Sequence, residues 1–182
     1  GGSITVQSTN HAVDAQVQNV YVDPTGSNNN SGTSASPFKT ISYSMLAAYA
    51  NSGLPCTIHL ADGTYSPSTN GEYFPLGGKD YVSISGESQD STILNGDSLT
   101  SIFYFEDNGD ITISDLTVTN GYTFSRGGGI AVENTNIVIN NITVSHNVVE
   151  QTGFGGGIYI SSDSKINTNN CIIDNNSSDY RG

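Results

Sequence analysis

Pairs of apolar residues, two positions apart, recur along the chain at a nearly constant interval. In the first set, successive pairs are separated by 26, 29, 26 and 29 residues, and in a second set both steps are 28. A third set has steps of 26 and 29. The first set is Cys56/Ile58, Val82/Ile84, Ile111/Ile113, Ile137/Ile139 and Ile166/Thr168; the second is Ile102/Tyr104, Ile130/Val132 and Ile158/Ile160; the third is Leu116/Val118, Ile142/Val144 and Cys171/Ile173.

This spacing predicts short β-strands that each bury one face, because alternate side chains of a strand point to opposite sides. Strands this short cannot form a core alone, so equivalent strands of successive repeats must stack on one another. The pattern therefore predicts an all-β fold, a right-handed parallel β-helix (solenoid) of about five coils with three short strands per coil. In this scheme Phe103, Ala131, Glu133 and Tyr159 point outward from the first strand of each coil.

Polar pairs and glycine runs mark the corners of the predicted coils. Ser114-Asp115, Asn140-Asn141 and Asn169-Asn170 each separate a second strand from a third. Asn and Asp tolerate left-handed backbone angles, which suits a sharp corner, and stacked amides can bond from coil to coil. The runs Gly127 to Gly129 and Gly155 to Gly157 precede first strands, where glycine permits positive φ and close backbone approach.

A helical pattern lies between the first strand and the repeats. Ser36 suits an N-cap and Pro37 the first helical position. Phe38, Ile41, Met45 and Tyr49 follow at helical spacing, and Gly53 ends the pattern. We expect this amphipathic helix to cap the apolar end of the first coil.

Composition narrows the range of functions. The chain has 182 residues, 17 acidic against 5 basic side chains and a formal charge of −12. Such a surface repels nucleic-acid backbones and anionic membranes, and no apolar stretch is long enough to span a bilayer. Gly1 to Ser8 lacks the features of a signal peptide, so we interpret the chain as a mature segment or part of a longer protein.

A recognisable signature is carried by Tyr21 to Gly26, Gly32-Thr33, Ser36 to Ile41, Leu60 to Tyr65, Val82 to Gly86, the two Gly-Gly-Gly-Ile runs and Asp174 to Asn176. The first five segments resemble the N-terminal signature of secreted bacterial right-handed parallel β-helix proteins of the pectin-lyase-like superfamily. The later glycine-rich segments resemble repeats of chlamydial polymorphic outer-membrane proteins, and the likeness covers nearly the whole chain. The resemblance implies a β-helix and a secreted or cell-surface location. It implies no particular activity, because the superfamily includes pectate lyases, methylesterases, polygalacturonases and noncatalytic surface proteins.

Enzymes of the superfamily place substrate along the outward side of one sheet, so we searched that surface for catalytic groups. A uronide lyase needs a base and a cation that neutralises the substrate carboxylate, and Arg126 near Glu133 is the sole plausible pair. The clusters that polygalacturonases and methylesterases need are missing. Outward aromatic residues instead suggest a glycan surface of Phe103, Arg126, Glu133 and Tyr159, with packing of loops onto the sheet as the alternative.

Metal and thiol chemistry are weakly indicated. The acidic segments Glu106 to Asp110, and Asp23 with Asn28 to Asn30, offer oxygen ligands for calcium, although solvated turns have the same composition. His59 is predicted to point outward, and the three histidines occupy different repeat positions. Cys56 and Cys171 lie four coils apart, so we expect two buried thiols and no disulfide. No cofactor is predicted.

The two ends of the sequence suggest assembly. If a second copy followed Gly182, its Ile4 and Val6 would fall 28 positions beyond Ile158 and Ile160, which matches the repeat. Copies could therefore stack head to tail along an edge formed by Ile4, Val6, Ile158, Ile160, Cys171 and Ile173. The alternatives are a cloning remnant at Gly1 to Ser3 and further coils of a longer parent chain.

These observations predict one β-helix domain over residues 1–182. Residues 1–17 form an N-terminal extension, 18–55 the first strand, loop and capping helix, and 56–182 the stacked coils without a C-terminal cap. We expect a noncatalytic extracellular structural or adhesive module whose partners are copies of itself or further coils. The alternative is a polysaccharide-binding or polysaccharide-degrading domain.

Overall fold

The computed structural model describes residues 19–109 and 111–179, which form a parallel β-helix. All strand pairs joined by register are parallel, and most of them connect one coil to the next. The largest sheet, called here the main sheet, has nine strands. Its strands are β1 (Asn19–Val22), β2 (Cys56–Leu60), β3 (Gly63–Tyr65), β5 (Val82–Gly86), β6 (Thr92–Asn95), β8 (Ile111–Thr119), β11 (Asn136–Ser145), β14 (Lys165–Asn169) and β15 (Ile172–Asp174).

Two smaller sheets complete the coils. The four-stranded sheet contains β4 (Leu76–Gly77), β7 (Phe103–Glu106), β10 (Ile130–Glu133) and β13 (Ile158–Ile160). The three-stranded sheet contains β9 (Tyr122–Thr123), β12 (Val148–Val149) and β16 (Ser177–Ser178). None of these two-residue strands contains apolar residues two positions apart, so the sequence analysis did not predict them. The predicted second and third strands are continuous in β8 and β11.

The core is a set of aliphatic ladders running through the coils. Cys56 pairs with Val82, Ile84 with Ile113, and Ile113 with Ile139, as the repeat predicted. Leu116 and Val118 pair with Ile142 and Val144 in the same way. These side chains are almost completely buried. Since burial of an aliphatic side chain contributes roughly 1.5–3 kcal/mol, the ladders supply most of the favourable free energy of the fold.

The corners between predicted second and third strands have the expected backbone. Asp115, Asn141 and Asn170 adopt φ of 59°, 51° and 52°, the left-handed region that Asn and Asp tolerate best. Asn141 Nδ2 donates to Asp115 Oδ1 at 2.8 Å, so corner side chains bond between adjacent coils. Each sharp bend thus keeps its place without interrupting the sheet.

The glycine runs are required by close approach between turns. Gly127 and Gly155 have φ of 61° and 68°, as predicted. A Cβ on Gly128 would lie 2.4 Å from Gly156 O, and one on Gly129 would lie 2.9 Å from Asn147 Nδ2. Asn147 is fully buried there and also bonds Gly121 N, Val118 O and Asn176.

The predicted register of the first strands is wrong at one coil. Ile130 pairs with Ile158 as expected, but its partner in β7 is Phe103 and not Ile102. Phe103 and Phe105 therefore point inward and are buried, with stacked rings 5.3 Å apart. A shift of one residue reverses the face of every side chain in a strand. Phe103 consequently does not belong to an outward glycan surface.

The helix α1 (Ile41–Ala47) begins later and ends earlier than predicted. Thr40, not Ser36, is the N-cap, and its hydroxyl accepts from Tyr43 N. Ser36 instead lies in a turn in which its N–H donates to Thr33 O, and Phe38 N donates to Tyr21 O in β1. Phe38 is thus held by strand-like bonds that exclude it from a helix.

Helix α1 contacts β1 and β2 and is bound at both ends by one later segment of the chain. The carboxylate of Glu72, which is 3% exposed, accepts from Ile41 N at 2.7 Å and Ser42 N at 2.9 Å. Lys79 Nζ donates to Met45 O and Ala48 O at the other end. An anion at the N-terminus and a cation at the C-terminus both match the helix dipole.

Candidate functional site

The outward face of the four-stranded sheet carries a ladder of two tyrosines and an alanine. Tyr104, Ala131 and Tyr159 lie in register on β7, β10 and β13. Their neighbours Ile130 and Val132 are fully buried in the core, so the ladder faces away from it. Ala131 is nevertheless 1% exposed, because it lies between the two tyrosines. The result is a row of two outward tyrosines with a small residue between them.

A loop from the glycine-rich turn adds a charged group to this row. Arg126 Nη1 donates to Glu133 Oε1 at 2.9 Å, and the guanidinium carbon lies 5.1 Å from the centre of the Tyr159 ring. The Arg126 side chain is 46% exposed and that of Glu133 is 21% exposed. We call Tyr104, Arg126, Ala131, Glu133 and Tyr159 the tyrosine–arginine surface.

The protonation states of this surface suit hydrogen bonding. Burial, and then the negative charges of Glu133 and Glu106, raise the pKa of Tyr104, so its phenol stays protonated near neutral pH. The hydrogen bond with Glu133 raises the pKa of Arg126 above its usual value. Both groups are therefore donors. A phenol that acted as a general base would need a lowered pKa, the opposite of the shift at Tyr104.

The structure brings together three of the four residues of the predicted glycan surface. Arg126, Glu133 and Tyr159 are in contact or adjacent, whereas Phe103 is in the core. Sequence reasoning missed Tyr104, the outward neighbour of Phe103. The available signal was the hydroxyl group, since a tyrosine between two phenylalanines is the residue that keeps a polar atom in water.

The predicted assembly edge lies on the last described coil. Ile158 and Ile160 are in β13, Ile173 is in β15, and Cys171 directly precedes β15. Ile160 and Ile173 are 48% and 56% exposed, while their counterparts Val132 and Val144 in the preceding coil are buried. The other members, Ile4 and Val6, lie outside the described residues.

The acidic segments considered for calcium have other partners in the structure. Asn28 Oδ1 accepts from Lys39 N and Thr40 N, and Asp107 Oδ1 accepts from Asn134. Over residues 19–109 and 111–179, no three His, Cys, Asp or Glu side chains are grouped to hold a metal ion. The expectation of no cofactor, with calcium as the alternative, stays a prediction.

The remaining candidates agree with the sequence analysis in part. Cys56 and Cys171 are free thiols, as predicted, but only Cys56 is buried, and Cys171 packs partly exposed against the core, so the predicted burial is wrong for Cys171. Burial raises the pKa of Cys56. His59 points outward, stacks on Tyr21 and lies 2.8 Å from Asn19 Oδ1. Among the described helices, none has the length and apolar content to cross a bilayer.

Two sequence comparisons identify relatives without a known function. Residues 24–109, slightly under half of the chain, match a family model described as a protein of unknown function, DUF1565. The chain is also similar to an uncharacterized protein of Bacillus subtilis (strain 168), YwoF, with 32% identity over 108 residues. That alignment covers 54% of this chain and 21% of the relative.

Solved structures with a similar fold include two pectin methylesterases and a rhamnogalacturonan lyase. A pectin methylesterase mutant in complex with a hexasaccharide superposes with a TM-score of 0.60 at 16% identity, covering 87% of this chain and 50% of the other. Pectin methylesterase PemA from Erwinia chrysanthemi gives 0.53 at 15%, covering 87% and 54%. A rhamnogalacturonan lyase gives 0.55 at 18%, covering 90% and 43%. The chain thus spans about half the length of these structures.

At these identities the likeness establishes the fold and not the activity. The parallel stack, the aliphatic ladders and the three superpositions lead to the same conclusion: the chain has a right-handed parallel β-helix fold similar to that of these solved structures, and its residues 24–109 match the DUF1565 family model.

Proposed function

We propose that the chain is a noncatalytic, extracellular β-helix module that binds polysaccharide on its tyrosine–arginine surface. The observation that carries this proposal is the in-register row of Tyr104, Ala131 and Tyr159 with Arg126 beside it. Tyrosine rings offer flat apolar faces to sugar rings, and their hydroxyls offer hydrogen bonds. Structural neighbours named for pectin methylesterase and rhamnogalacturonan lyase favour a polysaccharide over other ligands.

The charge of the surface favours an acidic sugar. Arg126 is one of only five basic residues in the chain, and its partner Glu133 is a carboxylate in an exposed pair. Exposed ion pairs are weak, so a uronate carboxylate can replace Glu133 as the partner of the guanidinium. The bound sugar then lies against Tyr159, which the guanidinium already contacts.

Binding without turnover fits the groups on this surface. A lyase needs a free base beside the cation, but the Tyr104 phenol is held in its protonated form, and the carboxylate beside Arg126, that of Glu133, is engaged as its ion-pair partner. The extracellular location rests on the resemblance to secreted β-helix proteins. Incubation with polygalacturonate tests the noncatalytic part: steady formation of unsaturated products that Arg126→Ala abolishes would show that the chain is a lyase.

Calorimetric titration with a galacturonate oligomer tests the binding part. We expect Tyr159→Ala to weaken binding about tenfold or more, since an aromatic contact and a cation–π contact are lost together. The matched control is Tyr49→Ala, which removes an exposed tyrosine from beyond helix α1 and should leave the affinity unchanged. Equal affinities for both variants would exclude this surface as the binding site.

Self-assembly is a second candidate function, favoured by the exposed isoleucines of the last described coil. Ile160, Ile172 and Ile173 are each about half exposed, which suits contact with a further coil. That coil would come from the same parent chain or from the Ile4–Val6 segment of another copy. Sedimentation at increasing concentration tests the second source: chains carrying Ile4→Asp and Val6→Asp should stay monomeric if it is correct, whereas an unchanged association pattern would reject it.

A further inference from the structure

A cavity of about 300 Å³ lies on the outer side of the main sheet, far in sequence from the tyrosine–arginine surface. Its floor is formed by the adjoining strands β1, β2 and β5, and one wall is formed by the loop that follows β1. The volume is at the lower end of the range for small-ligand sites. The residues that matter below are Tyr21, Asp23, Ser34, His59, Ser85 and Glu87.

The cavity lies where a row of outward side chains on adjacent strands changes from large aromatic rings to a small serine. Tyr21, His59 and Ser85 occupy equivalent positions on successive strands. The rings of Tyr21 and His59 stack 5.0 Å apart at 21°, but the next rung is only a serine. Space for one more flat ring is therefore left beside the imidazole, where the ladder would otherwise continue.

The aromatic wall is uncharged near neutral pH. Burial lowers the pKa of His59, and the hydrogen bond between its Nε2 and Asn19 Oδ1 at 2.8 Å fixes the ring orientation. A neutral, fixed imidazole stacked on a tyrosine is a suitable face for the apolar side of a sugar ring. It also does not repel a cation.

The rim of the cavity is acidic and held in place. Asp23 Oδ1 accepts from Thr25 N and Thr25 Oγ1, both at 2.7 Å, and Glu87 Oε2 accepts from Asp62 N at 3.3 Å. Asp23 and Glu87 both contribute to raising the pKa of the buried Tyr65, so their charges act on the same small region. The cavity lining contains no lysine or arginine to neutralise them.

From this combination we propose that the cavity binds an amino sugar, with the sugar ring against His59 and the protonated amino group facing Asp23 and Glu87. The two carboxylates would repel a uronate, so this site and the tyrosine–arginine surface select sugars of opposite charge. Ser34 and Ser85 supply hydroxyls at the wall and floor for the sugar hydroxyl groups. The inference does not depend on the proposed function.

Titration calorimetry at about pH 7, where the imidazole is neutral, an amine is protonated and the carboxylates are ionised, tests the proposal with a glucosamine tetramer. The comparison ligands are the N-acetylated tetramer and a galacturonate tetramer. We expect binding of the glucosamine tetramer and at least tenfold weaker binding of the other two. Equal affinity for the N-acetylated tetramer would overturn the role of the carboxylates.

Two variants and two controls locate the binding site. Glu87→Gln should weaken the affinity about tenfold, whereas Asp163→Asn, an exposed carboxylate on the last coil, changes net charge equally and should have less than a twofold effect. Ser85→Phe should abolish binding by filling the cavity. Tyr159→Ala should leave binding of glucosamine oligomers intact, which separates this site from the tyrosine–arginine surface.

NMR signals of the histidine rings distinguish binding in the cavity from general attraction to the acidic surface. The glucosamine tetramer should shift the ring signals of His59 and leave those of His146 unchanged. Equal weakening by Glu87→Gln and Asp163→Asn, or no shift at His59, would mean that the oligomer binds the acidic surface without a site, and the proposal would be wrong.

Discussion

Tyr65 is a fully buried residue whose hydroxyl contacts two backbone carbonyl oxygens. It donates to Ala61 O at 2.9 Å and contacts Val22 O at 3.1 Å, which joins two coils. Burial raises its pKa well above the ordinary value of 10.0, and the nearby carboxylates add to the shift. The folded state therefore holds this proton at a pH at which an unfolded tyrosine releases it.

This shift predicts a specific dependence of stability on alkaline pH. A raised pKa in the folded state stabilises the fold fully below the unfolded pKa, and that contribution is lost as pH rises above about 10. Tyr65→Phe should cost about 1 kcal/mol near neutral pH, and the difference from the unmodified chain should narrow above pH 10. Urea unfolding at both pH values measures it, with the exposed Tyr49→Phe as control. A difference that is independent of pH would contradict the assignment.

Phe103 packs in the core and its neighbour Tyr104 lies on the tyrosine–arginine surface, so substitutions at the two positions should have different effects. Phe103→Ala empties a core position and should lower the free energy of unfolding by about 3–5 kcal/mol. Tyr104→Ala should cost less than about 1 kcal/mol but reduce polysaccharide binding. Chemical denaturation measures the free energy of unfolding of both variants. Similar decreases in the two variants would show that β7 has a different register.

At the scale of elements, the sequence predicts strands where aliphatic residues alternate with small polar ones. The ladder from Cys56 to Ile166 is of this type, and its register is confirmed. Around residues 102–105 four apolar or aromatic residues are consecutive, so alternation fits two registers and tertiary packing decides. Ser36-Pro37 fits a helix start and a turn equally well, and the strand-like bonds of Phe38 select the turn.

Arg126 with Glu133 could be predicted because only five basic residues exist, but Tyr104 depended on the unresolved register.

The two side chains that bind helix α1 should stabilise it independently of the core. Glu72→Gln keeps the size and one acceptor but removes the charge at the helix N-terminus, at an expected cost of about 1 kcal/mol. Lys79→Met, which removes the donor to Met45 O and Ala48 O, should cost a similar amount. Urea denaturation measures both, against Lys165→Met on the exposed strand β14. If all three variants were equally stable, the helix would be held by its apolar face alone.

The whole molecule carries a large uncompensated charge. Its formal charge is −12, and the part of the chain that the structure describes contains one ion pair, Arg126 with Glu133. Repulsion among the remaining carboxylates opposes the compact state, and dissolved salt screens it. The stability of this β-helix thus rests on its aliphatic ladders.

This balance predicts that salt stabilises the molecule. Raising sodium chloride from about 10 mM to about 0.5 M should raise the midpoint of thermal unfolding, because the Debye length falls from about 30 Å to a few ångströms. Scanning calorimetry measures the shift, and sodium sulfate at matched ionic strength separates screening from ion-specific effects. A lower midpoint in salt would mean that attractive pairs dominate the surface.

Glu72 and Lys79, which bind the seven-residue helix α1, both lie in the chain between β3 and β5. Helix α1 should therefore unfold whenever that segment unfolds. A helix of this length has almost no stability in isolation. Its amide hydrogens should therefore exchange with solvent at the rate at which the adjoining turn opens. Hydrogen exchange at residues 41–47 would then report local unfolding of this part of the β-helix.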